Sequence, residues 1–152
     1  MASYDYDRRR DGWVDRTAVG SQDALLLLGR ILLGAIFVQS GWGKLMNLAG
    51  FAASLEGQGL PFAFGLAIVG ALVECFGGLA VVLGAWTRVA AFLVAGFTVV
   101  ATLIAHRYWD YPPDGQAMQR IQFMKNLAII GGFLTLIAAG AGRFSVDGWR
   151  RR

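Results

Sequence analysis

Residues 62–86, FAFGLAIVGALVECFGGLAVVLGAW, are long enough to cross a bilayer as a helix and carry one charged residue, Glu74, near their middle. A carboxyl group in hydrocarbon costs on the order of a few kcal/mol, so this side chain is expected to face protein or water rather than lipid. Its neighbours agree. Gly70, Gly77 and Gly78 stand four before, three after and four after Glu74, spacings that fall on one face of a helix. Small residues around an acid make a surface on which another helix can pack closely. Two roles are open to Glu74: a staple to a basic residue on a neighbouring helix, or an acid used in ligand or proton chemistry.

The rest of the 152 residues places that stretch in context. A hydrophobic content of 56% with only 16% charged residues is far from a soluble profile, and so is a mean hydropathy of +0.51. The net charge of +4 would suggest nucleic acid in a soluble protein, but the arginines cluster at the two ends, where they suit anionic headgroups and topology control. Cys75 is the single cysteine and His106 the single histidine, which excludes a self-contained dithiol pair and bis-histidine haem ligation. Cys75 reads as a small packing residue.

Residues 1–23 are polar, with Arg8, Arg9, Arg10 and Arg16 set against Asp5, Asp7, Asp11 and Asp15, and read as a tail rather than a cleaved signal. A first span is expected over 24–45. Arg30 and Lys44, 14 residues apart, return to nearly the same face of it, with Gly34, Phe37 and Gly41 between them. Either basic residue can instead snorkel to an interface. Residues 46–61 are too short and polar to cross and suggest an amphipathic interfacial helix, broken at Gly57-Gln58-Gly59. After the second span, Trp86-Thr87-Arg88 is so short a connection that spans two and three must be antiparallel neighbours. Span three, about 89–106, is apolar apart from Thr98 and Thr102, and much of it is expected to face lipid. His106 to Tyr111 has the composition of a headgroup-level exit, and Pro112-Pro113-Asp114-Gly115 reads as a turn. The last span is expected from about Ile121 to Ala141, with Lys125 and Asn126 in its first turns and Lys125 on the face of Gly132.

The predicted fold is all-α, an integral membrane four-helix bundle. Its divisions are a polar tail over 1–23, a membrane domain over 24–143 and a basic tail over 144–152. If both ends share one side, that side holds nine arginines and the other holds Lys44, Arg107, Arg120 and Lys125, so both termini are predicted to be cytoplasmic. Arg30 lies within the membrane and is ranked first as partner of Glu74. Lys44 and Lys125 are expected to form a separate basic cluster near His106.

The chain also resembles the DoxX family of small bacterial membrane proteins. The resemblance is carried by Arg30 and Gly34, Gly41-Trp42-Gly43-Lys44-Leu45, Gly59-Leu60-Pro61, and Glu74 with Gly77-Gly78. Thr87-Arg88, Lys125-Asn126-Leu127 with Gly131-Gly132, and Gly142-Arg143-Phe144-Ser145-Val146-Asp147 complete it. It implies a four-helix bundle in the bacterial cytoplasmic (inner) membrane, with some relatives linked to quinone-coupled sulfur oxidation or thiol-redox complexes. A single cysteine departs from any thiol-enzyme pattern.

Two functions follow. In the first, a redox-linked membrane subunit, Arg30, Lys44, Glu74, His106, Lys125 and Asn126 form a buried polar cluster that holds a quinone headgroup or relays a proton. In the second, a non-enzymatic accessory subunit, the buried charges fix the bundle and its surface docks a larger membrane complex or another copy of the chain. No haem, flavin, metal or nucleotide motif is present, and the partners expected are lipid and protein rather than nucleic acid. Transport is a weaker third reading, since four helices leave little room for paired repeats.

Overall fold

The computed structural model describes residues 21–151. The tail expected over 1–23 therefore falls almost wholly outside the described residues. Four spans form the bundle. Span one is α1 (Gln22–Met46), followed after Asn47 by the short α2 (Leu48–Gly57). Span two is continuous but composite: α3 (Ala63–Leu72), a π-helical turn (Val73–Gly77) and α4 (Gly78–Leu83). Span three is α5 (Thr87–Ala105). A 3₁₀ turn (Tyr108–Asp110) leads to span four, α6 (Pro113–Ala139), and then to a last turn, α7 (Val146–Trp149). Among the described residues there are no strands.

Glycines set how spans one and two fit together. A Cβ on Gly34 would stand 2.7 Å from Gly78 O, one on Gly78 would stand 2.9 Å from Gly34 O, and one on Gly41 would collide with the backbone of Cys75. The two helices thus meet backbone to backbone, which a membrane bundle achieves with small residues. Gly77 turns the other way, toward Val94 on α5, and Gly70 faces the rings of Phe97 and Phe51. The glycines expected on one face therefore serve three neighbours. The π turn is part of the reason, since one wide turn changes which side chains align above and below it.

Span three has one buried face. Ala90, Ala91, Val94 and Ala95 are core residues with Phe37, Val81, Ile129, Phe133 and Leu136, and the Phe37 and Phe133 ring centroids are 5.4 Å apart. Thr98 and Thr102 are buried too, because each hydroxyl donates to a carbonyl one turn back, Val94 O at 2.7 Å and Thr98 O at 2.6 Å. Small and self-satisfied residues let one face of α5 pack into the bundle, while Val89, Phe92, Leu93, Val100 and Leu103 leave much of its surface outward, as expected of a lipid-facing span.

Span four begins eight residues before the predicted Ile121. Pro113 opens the helix, where its missing N–H and fixed φ are no handicap, and Asp114 sits in the first turn at the positive end of the helix dipole. The expected Pro-Pro-Asp-Gly turn is the start of α6. The predicted amphipathic segment is helical as α2, but it packs along α3 as the outer arm of a helical hairpin.

Residues 144–149, expected as tail, dock on the bundle. Trp86 and Gly84 take left-handed φ values of 43° and 68°, and α5 starts there without a local side-chain cap. Asp147 supplies it: its carboxylate accepts from Trp86 N, Thr87 N and Thr87 Oγ1, each at 2.8 Å, while its own N–H donates to Gly84 O at 2.9 Å. Ser145 Oγ in turn caps α7 through Gly148 N. Asp23 accepts from Arg143 N at 2.7 Å, so both described ends of the chain meet on one side of the bundle.

Candidate functional site

The bundle is packed unevenly. Its aromatic and aliphatic core fills the half near the chain ends, whereas the other half encloses a cavity of about 550 Å³ between the four spans and α2. The walls are mostly apolar, and Lys44, Glu74, His106, Lys125 and Asn126 all contribute to them. Arg30 does not.

Lys44 is the partner of Glu74. Its Nζ donates to Glu74 Oε1, and the carboxylate is the more enclosed member, 6% exposed against 27% for the lysine side chain. This corrects the ranking of Arg30 first, and with it the expected separation of Lys44 from Glu74. That ranking aligned the two helices at their centres. The close approaches of Gly34 to Gly78 and Gly41 to Cys75 slide span two along span one, so Glu74 is level with the end of α1. Lys44 also lies 4.8 Å from the Phe51 ring centroid and 6.0 Å from that of Phe97. The ammonium is held by one charge and two ring faces. Glu74 Oε2 is buried without a hydrogen-bond partner, which leaves one acceptor of a carboxylate beside the cavity unused.

Arg30 has a different task. It is fully buried at the level of the Gly84 turn, donating from Nη1 to Val82 O at 3.4 Å and from Nη2 to Phe144 O. Val82 lies in the last turn of α4, whose carbonyls have no helical partner, so the guanidinium closes the end of span two and ties it to the segment after α6. A second, smaller cavity of about 300 Å³ lies beside it between α1 and α6. Apart from Arg30 its lining is apolar or neutral, so it offers no opposed charges with which to orient a ligand.

The remaining members stand toward the far rim. His106 Nδ1 donates to Gln119 Oε1 at 2.7 Å, and Lys125 Nζ donates to Gln122 Oε1 at 2.6 Å on an exposed residue. Asn126 Nδ2 donates to Thr102 Oγ1 at 2.9 Å, completing a chain of hydroxyls down α5. The cavity therefore has a charged pair inside and amide and imidazole groups at its edge. Among the described residues no three His, Cys, Asp or Glu side chains are grouped to hold a metal.

Sequence reasoning gave Phe51 and Phe97 no place in the site, and it named Asp147 only as the end of a family motif, without a role. An aromatic residue in an apolar helix carries no mark of its direction. Asp147 is 60 residues from the N–H group it caps, so its place in the motif did not say what it binds.

These features coincide with similarity to known proteins. A profile of the DoxX family matches residues 25–107. The chain belongs to the DoxX family. Inner membrane protein YqjF of Escherichia coli (strain K12) is 38% identical over 126 residues, covering 83% of this chain and 92% of the relative. Inner membrane protein YphA of the same organism is 34% identical over 127 residues, covering 84% and 91%. A more distant relative, the Surfeit locus protein 4 homolog of Schizosaccharomyces pombe, is 29% identical over 123 residues, 80% of this chain but 36% of that protein. No solved structure matches. With four apolar spans and these DoxX relatives, the protein is a multi-pass inner membrane protein.

Proposed function

We propose that the protein is a redox-linked membrane subunit that binds a quinone headgroup in the cavity around Lys44 and Glu74, with both termini cytoplasmic. The observation that carries the reading is a charge pair placed in a mostly apolar chamber with one carboxylate oxygen unengaged. Lys44 Nζ is suited to donate to a ring carbonyl, and Glu74 Oε2 to accept from a ring hydroxyl, so the pair can meet both forms of a quinone headgroup. The quinone would supply the electron chemistry. The chain's own part is to orient the head, exclude water with Phe51 and Phe97, and keep an acid and a base within reach of the exchanged protons. The 550 Å³ volume is within the range of small-molecule sites.

The test is direct. Purified protein in mild detergent is titrated with a short-chain benzoquinone, followed by quenching of tryptophan fluorescence. Saturable binding that weakens about 10-fold or more in Lys44→Met supports the reading, on the scale of one lost charged hydrogen bond. Absence of saturable binding, with a stoichiometric protein partner retained from native membranes, favours the accessory-subunit alternative. Orientation is tested separately: alkaline phosphatase activity from a fusion at the C-terminus would reverse it.

A further inference from the structure

Two helices that border the cavity part company within the membrane. α3 packs on α1 and α2, while the π turn and α4 carry the packing of span two against α5. Between the two packings lies the π turn, Val73–Gly77, a feature that is a common cause of a change in helix direction. Leu66 and Val69 on one side and Gly96 and Val100 on the other line the cavity at this gap. The three side chains are nevertheless 44%, 59% and 55% exposed, so each has one flank inside and one outside. Gly96 has no atom within 4 Å of where a Cβ would stand.

The depth of the gap says what lies outside it. Gly96 is the central residue of α5, and Val69 and Val100 are within about 6 Å of the middle of their spans by the helical rise. Their outer flanks therefore meet hydrocarbon. Phe97 stands just inside, its ring 3.3 Å from the Cβ position of Gly70 and 6.0 Å from Lys44 Nζ at the centroid. A path thus runs from the bilayer core, past one aromatic ring, to the charged pair.

We infer that this gap is a lateral portal through which the cavity takes an amphipathic, lipid-soluble molecule, its polar head at Lys44 and Glu74 and its hydrocarbon tail left in the bilayer between α3 and α5. The inference rests on the ligand-binding reading above and adds the class of ligand and its route. A tail that stays in lipid is never transferred to water, whereas passage by the rim at Gln58 and His106 would carry it through the aqueous boundary. The portal also gives the π turn a purpose, since a regular helix over 63–83 would continue the packing of α4 on α5 and close the gap.

The experiment uses the full chain in phosphatidylcholine vesicles and a benzoquinone bearing a decyl tail that ends in a diazirine. After illumination, labelled peptides are mapped with and without excess unlabelled decyl-benzoquinone. Competed labelling on residues 63–72 and 92–103 is expected. Gly96→Leu, which fills open space, is expected to reduce it about 10-fold. Gly131→Leu, also in open space but outside the cavity, is expected to leave it unchanged. Val100→Trp serves as a second obstruction if Gly96→Leu does not fold. Competed labelling confined to residues 54–60 and 106–125 overturns the portal and leaves the ligand reading standing. Wild-type labelling in a folded obstructed variant overturns the portal as well. Absence of any competed labelling overturns both.

Discussion

Removing either member of the Lys44–Glu74 pair leaves a different residue behind, so the two single substitutions are expected to differ. In Lys44→Met the carboxylate is stranded: it is 6% exposed, its Oε1 loses the lysine and its Oε2 already has no partner. Breaking a buried pair this way costs about 3–5 kcal/mol. In Glu74→Gln the amide oxygen can still accept from Lys44, and the ammonium keeps the Phe51 and Phe97 rings and access to the cavity. The cost there is set by weakening one hydrogen bond, about 1–2 kcal/mol. The double variant removes the stranded charge, so it is expected to be about 2 kcal/mol more stable than the sum of the single losses predicts. The assay is reversible unfolding in mixed micelles by titration with sodium dodecyl sulfate, read by tryptophan fluorescence and circular dichroism. A double variant within about 0.5 kcal/mol of additivity would refute the coupling. A larger loss in Glu74→Gln than in Lys44→Met would refute the argument from burial.

Three other outcomes are expected. Arg30→Lys keeps the charge but loses the fork that reaches both Val82 O and Phe144 O, so about 1–3 kcal/mol of stability should be lost in the same assay; no loss would show that one of those carbonyls does not depend on it. Gly41→Ala should destabilise by about 1–3 kcal/mol, because its methyl group meets the Cys75 backbone, whereas Gly131→Ala, in open space, should be neutral or gain up to about 1 kcal/mol. Asp147 is pushed upward by burial, but the hydrogen bonds from Thr87 and Trp86 and the charge of Arg151 outweigh this and hold its carboxyl below the usual range. A depressed acid stabilises the fold above its unfolded value, near pH 4, and loses that contribution as pH falls through the folded value. Asp147→Asn should therefore cost about 1 kcal/mol at neutral pH, and stability measured between pH 6 and pH 3 should fall less steeply in the variant; parallel curves would contradict the capping role.

Composition and the length of the apolar runs were enough to establish a four-span helical membrane protein, because a chain in hydrocarbon must satisfy its backbone within helices and each span needs about 20 apolar residues. The same lengths identified α1, α5 and the break after α2, and they located Glu74 in the interior, since an acid cannot be left against lipid. Which base it meets was not legible. Lys44 and Arg30 share a face of one helix, and the choice between them depends on how far span two slides along span one. That slide is set by backbone contacts at Gly34, Gly41 and Gly78, a property of two surfaces fitted together and not of either pattern alone. The π turn at Val73–Gly77 and the cap from Asp147 were hidden for the same reason. An extra residue in a helical turn leaves the hydropathy of a span unchanged, and a hydrogen bond across 60 residues leaves no local trace. Lys44, Glu74, His106, Lys125 and Asn126 were expected to cluster and all line the chamber, while its aromatic walls, and Arg30's absence from them, came only from packing.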